Sequence, residues 1–414
     1  MSRLAAAVRI CLGRFPFAAA ACAVLLGTSA PVPAQTGHTP VPAVSAFDDA
    51  SRRADAARMA GRLDDAVIAY QQALKIRPGW IEGQWYLGTS YYELDKPGPA
   101  RDAFREVLAA QPANAAAWGF TGLCEFQLKR YEPALADLMK ARTLNVGAGN
   151  KELASVIRYH AAILLTRFQQ FELAQKILTE FSLIGNDNPK VVEALGLATL
   201  RIPMLPDELP PDRREQVLLA GQGAYYLYVQ AMAASRRSFE DLVARYGTTP
   251  NVHYAYGVLL LNVEPDKGIE EFKKELAISP GSVPSMLQIA FEYIKRSDWV
   301  SAKTWAAQAV EAAPGNFAAR QALGQTLTEL GQVNEAIEQL KAGVALADDS
   351  PTLHFTLARA YQKAGRLEDA AKERETFARL NREMRARQQG AQTVGGETPE
   401  PAATPPAPQP APRR

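Results

Sequence analysis

The stretch from Ile81 to Asn114 constrains the fold of this chain more than any other part of the sequence. Its apolar residues recur three and four positions apart as far as Glu93, a spacing that predicts an amphipathic helix. A turn carrying Pro97 interrupts the pattern, and a second amphipathic segment then continues until it stops before Pro112. The stretch therefore predicts two helices joined by a short turn.

Small residues in this stretch indicate how the two helices pack. The first helix carries Leu87-Gly88-x-x-Tyr91, and the second carries Ala100-x-x-x-Phe104. A side chain larger than a methyl group at Gly88 or Ala100 would push the crossing helices apart. The pattern resembles the tetratricopeptide repeat (TPR), a 34-residue unit that reads W-x2-L-G-x2-Y, A-x3-F, P. One such helix pair leaves an apolar face in water, so it must stack on further copies of itself.

Segments of the same kind recur in near register from residue 47 to residue 384. One stretch interrupts them with Pro203, Pro206, Pro210 and Pro211, and no helix can cross it because each proline removes a backbone donor. The sequence therefore predicts six divisions: a signal peptide (1–34), a flexible lead (35–46), repeats one to four (47–188), irregular repeats (189–250) with a proline-rich insertion (202–215), further repeats with a C-terminal cap (251–384), and a disordered Pro/Ala-rich tail (385–414).

The resemblance implies an all-α fold, a right-handed superhelical solenoid of stacked antiparallel helix pairs. Within the irregular division we expect the proline-rich segment to replace part of the fifth repeat, and a distorted hairpin to run from Asp212 to Pro250. Gly221 and Gly223 lie inside that hairpin, where close helix packing or a bend explains them better than a phosphate-binding loop does.

The N-terminus has the features of a secretory signal peptide. Arg3, Arg9 and Arg14 form a basic segment, an apolar run follows over residues 15–27, and small residues precede a cleavage position after Ala34. The apolar run is too short to span a bilayer. We therefore expect a secreted protein, with the periplasm as its compartment and no stable membrane anchor after cleavage. The alternatives are an uncleaved anchor and a cytosolic protein.

The cysteines support a non-catalytic protein. Cys11 and Cys22 leave with the signal peptide, and Cys22 resembles a lipoprotein site only weakly because the apolar run continues past it. Cys124 is then the only thiol, so no intramolecular disulfide can form. It lies on an apolar helix stripe, where a buried small hydrophobic residue is the expected interpretation.

Charge and motifs exclude several classes of function. The chain has 46 Lys and Arg residues against 44 Asp and Glu residues, so charge gives no argument for nucleic acid or an anionic membrane as a partner. No His-Glu-x-x-His, phosphate-binding loop or Gly-x-Ser-x-Gly motif occurs. His160, His253 and His354 fall on the first helices of different repeats, where hydrogen bonding is a better explanation than metal binding. We therefore predict no enzyme activity, no cofactor and no metal.

The resemblance implies that the first helices line a concave groove. Aromatic and basic residues are interleaved at the positions expected to face it, which suits a peptide with some negative charge. The predicted groove residues are Trp85, Tyr92, Phe126, Tyr159, Arg167, Lys190, Arg201, Tyr254, Phe291, Lys295, Phe355 and Arg359. The alternative for each aromatic residue is packing between neighbouring repeats. Some TPR proteins bind acidic tails with a Lys/Asn clamp, but Ser51, Asp55, Trp85 and Thr89 occupy those positions here.

The sequence thus predicts a scaffold that binds peptide segments of a protein partner. Two alternatives stay open: a self-associating structural or cell-envelope assembly factor, and a non-catalytic regulatory subunit of an enzyme complex. A homo-oligomer is compatible with each of them.

Overall fold

The computed structural model describes residues 45–183 and 188–393, and within these ranges it contains helices and turns but no strand. The predicted signal peptide, nearly all of the predicted lead and residues 394–414 lie outside them. The described α-helices, in chain order, are α1 (Ala46–Met59), α2 (Leu63–Ile76), α3 (Ile81–Glu93), α4 (Pro97–Ala110), α5 (Ala115–Gln127), α6 (Tyr131–Thr143), α7 (Lys151–Arg167), α8 (Phe171–Leu183), α9 (Pro189–Thr199), α10 (Arg214–Tyr228), α11 (Met232–Tyr246), α12 (Val252–Leu260), α13 (Pro265–Ile278), α14 (Val283–Lys295), α15 (Trp299–Ala312), α16 (Phe317–Glu329), α17 (Val333–Leu346), α18 (Pro351–Lys363) and α19 (Leu367–Thr393).

Short polar residues determine where several first helices begin. The Asn114 side chain accepts a hydrogen bond from the Ala117 amide, which would otherwise lack a partner in the first turn of α5. Asn316 caps α16 in the same way. Pro351 begins α18, where a missing amide hydrogen costs nothing because that group has no partner within the helix.

A left-handed residue ends most first helices and turns the chain into the second helix of its pair. At the end of α3, Asp95 has a φ of 55°, and the Lys96 amide donates to the Tyr91 carbonyl at 2.9 Å. Gly331 occupies the same position after α16, with a φ of 78°. The short turn holds the two helices of each pair antiparallel and in contact.

Small residues allow the two helices of a pair to cross closely, as the sequence predicts. A Cβ on Gly88 would lie 2.9 Å from the Phe104 ring, closer than carbon atoms can approach. Gly223 and Phe239 repeat this contact between α10 and α11, at 2.8 Å and with the same spacing in sequence. The hairpin of α10 and α11 is therefore a regular pair rather than the distorted one expected.

Helix α9 is a first helix without a second helix of its own. Residues 202–213 follow it as an irregular segment with short 3-10 turns at Pro206–Glu208 and Pro211–Arg213, and α10 begins at Arg214 rather than at Asp212. Ile202, Leu205 and Leu209 of this segment are buried. The proline-rich segment thus fills the space that a second helix would occupy, and its apolar side chains join the core.

Helices α9 and α10 contact each other through their backbones at two glycines. A Cβ on Gly196 would overlap the carbonyl oxygen of Val217, and a Cβ on Gly221 would overlap the carbonyl oxygen of Val192. The two sites are reciprocal, since each lies against the other helix beside the other glycine. This contact joins the four N-terminal pairs to the five C-terminal pairs despite the missing helix.

The arrangement of contacts gives the solenoid an inner side. First helices of successive pairs contact one another, as α5 does with α7 and α16 with α18. Between pairs, a second helix contacts mainly the first helix of the next pair. First helices therefore lie closer together than second helices do, so the stack curves with its first helices on the concave surface.

The terminal helix α19 corrects the predicted end of the folded region. We expected the last repeat to stop at Met384 and a disordered tail to begin at residue 385, but α19 continues to Thr393. Lys372, Glu375 and Arg379 of this helix are exposed, which suits a terminal helix that no further pair covers. Among the described residues, no helix is both long and apolar enough to cross a bilayer.

The close contact of α9 with α10 predicts the effect of one added methyl group. We expect Gly196→Ala to lower the free energy of unfolding by about 2–3 kcal/mol, because its Cβ meets a backbone carbonyl that cannot move alone. Thermal or urea denaturation of the full chain measures this change. Gly315→Ala is the control, since nothing lies within 4 Å of a Cβ there. Equal stability of the two variants would contradict the proposed packing.

Candidate peptide-binding surface

Three phenylalanines on consecutive first helices are exposed, and we call this set the aromatic track. Phe291 of α14 is 39% exposed, Phe317 of α16 is 43% exposed and Phe355 of α18 is 46% exposed. They occupy the ninth, first and fifth positions of their helices, and residues four apart lie on one side of a helix. Contacts of α14 with α16 and of α16 with α18 place the three helices side by side.

Phe317 was missed by the sequence analysis because it opens its repeat and was treated as a boundary residue. The 34-residue register contained the signal that could have found it, since its position is one helical turn before that of Phe355 in the next repeat. The Phe355 ring also lies 5.3 Å from the Phe377 ring of α19. This contact supports one end of the aromatic track while leaving the Phe355 face exposed.

A second aromatic group lies on α5 and α7. The His160 ring contacts the Phe126 ring with centroids 4.8 Å apart, and the Tyr159 ring with centroids 5.4 Å apart. Phe126 and Tyr159 are half-buried, so both predicted residues retain an accessible part. The His160 Nδ1 lies 2.8 Å from the Val156 carbonyl oxygen, a hydrogen bond that fixes the imidazole. Burial lowers the pKa of His160, and the charge of Lys190 lowers it further.

Two predicted groove residues are instead part of the core. Trp85 is 6% exposed, and its ring packs edge-on against Phe104 and Phe120 at 5.5 and 5.7 Å. Tyr254 is 9% exposed and packs against Phe272. The repeat register predicts the direction of these side chains but not their burial, because an aromatic ring that reaches the neighbouring pair gains more contact area there than in solvent.

Tyr92 is intermediate between the buried and the exposed aromatic residues. Its ring contacts the Phe120 ring at 5.3 Å, edge to face, and the side chain is half-buried. Burial raises the pKa of Tyr92 well above its ordinary value, since the phenolate would lose most of its hydration. Its hydroxyl therefore stays protonated and able to donate a hydrogen bond.

Most of the predicted basic residues are already paired with acids. Arg167 contacts Glu208 at 2.5 Å and Arg201 contacts Glu172 at 2.5 Å. Lys295 lies 3.5 Å from Glu292, and Arg359 lies 2.5 Å from Glu329. Sequence reasoning could not find these pairs, because most join residues about thirty or forty positions apart. They reduce the net positive charge that we expected in the groove.

Lys190 is the fifth predicted base, and it is exposed near the start of α9. It follows Pro189, and its backbone amide donates to the Asn188 side chain at 3.0 Å. The Asn188 contact fixes the backbone there, while the exposed ammonium group lies on the same part of the surface as His160, whose pKa it lowers.

A pocket of about 160 Å³ lies among α8, α9, α10, α12 and α14, next to the position where α9 lacks a partner. Two predicted residues line it, Arg201 and Tyr254, together with Glu172, Gln175 and Gln288. Burial raises the pKa of Tyr254, while the positive charge of Arg201 opposes this change. We call this the central pocket.

The other two histidines on first helices, and the cysteine Cys124, have structural rather than chemical roles. The His253 Nδ1 lies 2.5 Å from a Glu271 carboxylate oxygen, and the His354 Nδ1 lies 2.6 Å from a Glu373 carboxylate oxygen. Burial raises the pKa of Cys124 to about 12, so the thiol is not a nucleophile at neutral pH. Within the part of the chain that the structure describes, no group of three His, Cys, Asp or Glu residues is placed to hold a metal ion.

Comparison with protein families supports the repeat assignment. A model described as a tetratricopeptide repeat matches residues 87–143, and a model described as a TPR repeat matches residues 324–365. These segments are tetratricopeptide repeats. The first match covers most of α3 to α6, and the second covers the end of α16 and all of α17 and α18, including Phe355 of the aromatic track. The helix pairs and their stacking give the whole described region the form of a TPR solenoid.

Several solved structures match part of the chain. MamA from AMB-1 is 22% identical, with a TM-score of 0.35, and the match covers 40% of this chain and 98% of that chain. MamA 41-end from Desulfovibrio magneticus RS-1 is 19% identical, with a TM-score of 0.38, over 41% of this chain and 96% of that chain. MamA from MSR-1 is 21% identical, with a TM-score of 0.35, over 41% and 98%. No curated protein matches the chain.

The lowered pKa of His160 predicts a pH dependence of stability. An unfolded histidine has a pKa of about 6.5, so below that pH the unfolded chain binds a proton that the folded chain resists. We expect stability to fall as the pH drops from about 7.5 to about 5.5, and to fall less in a His160→Phe variant. An NMR titration of the imidazole tests this directly, and a pKa at or above about 6.5 would contradict it.

Proposed function

We propose that this protein is a secreted scaffold that binds an extended segment of a partner protein along its concave surface. TPR solenoids in general support a protein-interaction role, and the observation that carries this specific proposal is the aromatic track of Phe291, Phe317 and Phe355. Three large apolar side chains on consecutive first helices remain exposed although each could gain free energy by burial. Exposed apolar groups that cluster in this way mark interaction surfaces.

The pairing of charges specifies the kind of segment that fits the track. Glu329 of α16 contacts both Arg359 and Lys363, at 2.5 and 2.7 Å, so the basic residues beside Phe355 are compensated within the solenoid. A strongly acidic peptide would have to compete with Glu329 for these bases. A segment with apolar side chains spaced to reach successive first helices needs no such exchange, so we expect apolar contacts to dominate binding.

The aromatic track can be tested by crosslinking in intact cells. A photoreactive phenylalanine analogue at position 317 or 355 should form adducts with one partner protein, and the partner's crosslinked peptides should contain apolar residues. The control places the same analogue at Val300 or Leu346, which are 71% and 49% exposed on second helices. Adducts with the same partner at equal yield from both sets would contradict binding on the concave surface.

Substitution of the same residues tests the energetic contribution of the track. We expect Phe317→Ala with Phe355→Ala to weaken partner binding about tenfold or more, because truncation of an interface aromatic residue costs about 1–2 kcal/mol or more. The control variant, Val300→Ala with Leu346→Ala, should change partner binding little.

In the crosslinking experiment, adducts that contain a second copy of this chain would favour the self-association alternative over peptide binding.

Secretion is the second part of this proposal and rests on residues 1–34 alone. The basic segment, the apolar run and the small residues before Gln35 support cleavage after Ala34. We expect the mature protein from the native host to begin at Gln35 and to be released with the periplasmic fraction. N-terminal sequencing of that protein measures both. A retained Met1 in a cytosolic fraction would refute the localisation.

A further inference from the structure

We propose that the central pocket binds the C-terminal residue of a peptide, with Arg201 holding its carboxylate and the apolar lining residues contacting its side chain. The inference rests on the proposed function, since it names the end of the partner segment that enters this pocket.

Arg201 is held in place from several sides. It occupies the left-handed turn at the end of α9, with a φ of 54°. Its guanidinium lies 4.7 Å from the centroid of the Phe171 ring and 5.7 Å from the centroid of the Tyr254 ring. The side chain is only 19% exposed, so the charge is both fixed and partly desolvated.

The guanidinium retains the capacity to bind a carboxylate. The hydrogen bond to Glu172 uses one of the five N–H donors that an arginine carries. Glu172 is 70% exposed at the mouth of the pocket, and an ion pair with so exposed a partner contributes little free energy. An incoming carboxylate can therefore displace Glu172 or bind beside it, and a bidentate contact would be shorter and stronger.

The lining of the pocket combines apolar and polar side chains. Phe239 of α11 is 2% exposed, Ala255 of α12 is 4% exposed and Ala224 of α10 is 5% exposed, and Leu227 and Val258 also line the pocket. Amide and hydroxyl groups are contributed by Gln175, Thr199 and Tyr228. A C-terminal residue suits this mixed lining, because it carries a free carboxylate, a side chain and a backbone amide within a short distance of one another.

The volume of the central pocket limits the side chain of the peptide's C-terminal residue to a small or medium-sized aliphatic one. A pocket of about 160 Å³ has room for an aliphatic chain but not for a tryptophan together with its backbone. Arg201 also lines a second, more open depression, together with Gln169, Asn251 and Ser282. The preceding residues of a peptide can leave through that depression, whereas a free amino acid would make no use of it.

The test uses the full chain and a pool of fluorescent hexapeptides with a free C-terminal carboxylate and randomised last two positions. Binding is measured by anisotropy, and the matched pool carries a C-terminal amide. We expect the free acids that end in Val, Ile or Leu to bind at least about tenfold more tightly than their amides, because the amide removes a charge-assisted contact. Free valine alone should bind much more weakly than a peptide that ends in valine.

Three variants and one control, Arg245→Gln, separate recognition from a structural role of Arg201. Arg201→Gln should weaken binding of the free-acid peptides about tenfold. Arg245→Gln removes a similar ion pair with Glu215 and should leave this binding unchanged. Glu172→Gln should strengthen binding several-fold, because it removes the competing carboxylate. Val258→Trp should abolish peptide binding, because the larger side chain would fill the central pocket. If Arg201→Gln fails to fold, the last two variants still decide the question.

The outcomes distinguish this inference from the proposed function. Equal binding of acids and amides, no enrichment of any peptide, or weaker binding in Glu172→Gln would each overturn the carboxylate pocket. If crosslinking through Phe355 still captures a partner in those cases, the aromatic track stands and only the pocket is refuted. If the free acids bind but the track forms no adducts, the pocket stands and the extended groove is refuted.

Discussion

The direct backbone contact between α9 and α10 is the constraint on which the continuity of this solenoid depends. In the other described pairs a second helix carries the stack from one first helix to the next, but α9 is followed by an irregular proline-rich segment. Gly196 and Gly221 let the two backbones approach closely. At each glycine, a backbone carbonyl of the other helix occupies the space that a Cβ would need. Buried Ile202, Leu205 and Leu209 then fill the remaining volume, so the missing helix becomes a change in packing rather than a gap.

Both candidate binding regions follow from the way the pairs stack. First helices contact one another on the inner side, which places Phe291, Phe317 and Phe355 along one surface, and none of the three is needed to close the core. The central pocket lies beside the irregular junction, where α8, α9, α10 and α12 meet in an arrangement that a regular repeat does not produce. Ion pairs within the solenoid compensate most of the basic residues nearby. Apolar contact and one partly buried arginine are thus the features left to provide specificity.

The sequence predicted the fold well because its signals are local. Small residues at the crossings and prolines at the ends fix each pair, and α3 ends at Glu93 as the spacing predicts. The TPR solenoid is confirmed. The site was less predictable, since the register gives the direction of a side chain but not how far a neighbouring pair reaches to cover it: Trp85 is buried while Phe355 is exposed. The partner acids of Arg167 and Arg201 come from distant parts of the chain, which one sequence does not pair.

Hydrogen exchange of the intact chain tests the central claim about α9 and α10 most directly. If the glycine contact joins the two parts of the solenoid into one continuous stack, amides near Gly196 and Gly221 should exchange as slowly as those near Gly88 and Gly324, which lie inside regular pairs. The two short 3-10 turns at Pro206–Glu208 and Pro211–Arg213 should exchange faster. Rapid exchange throughout α9 and α10, with slow exchange on both sides, would show a hinge at this position and contradict the account.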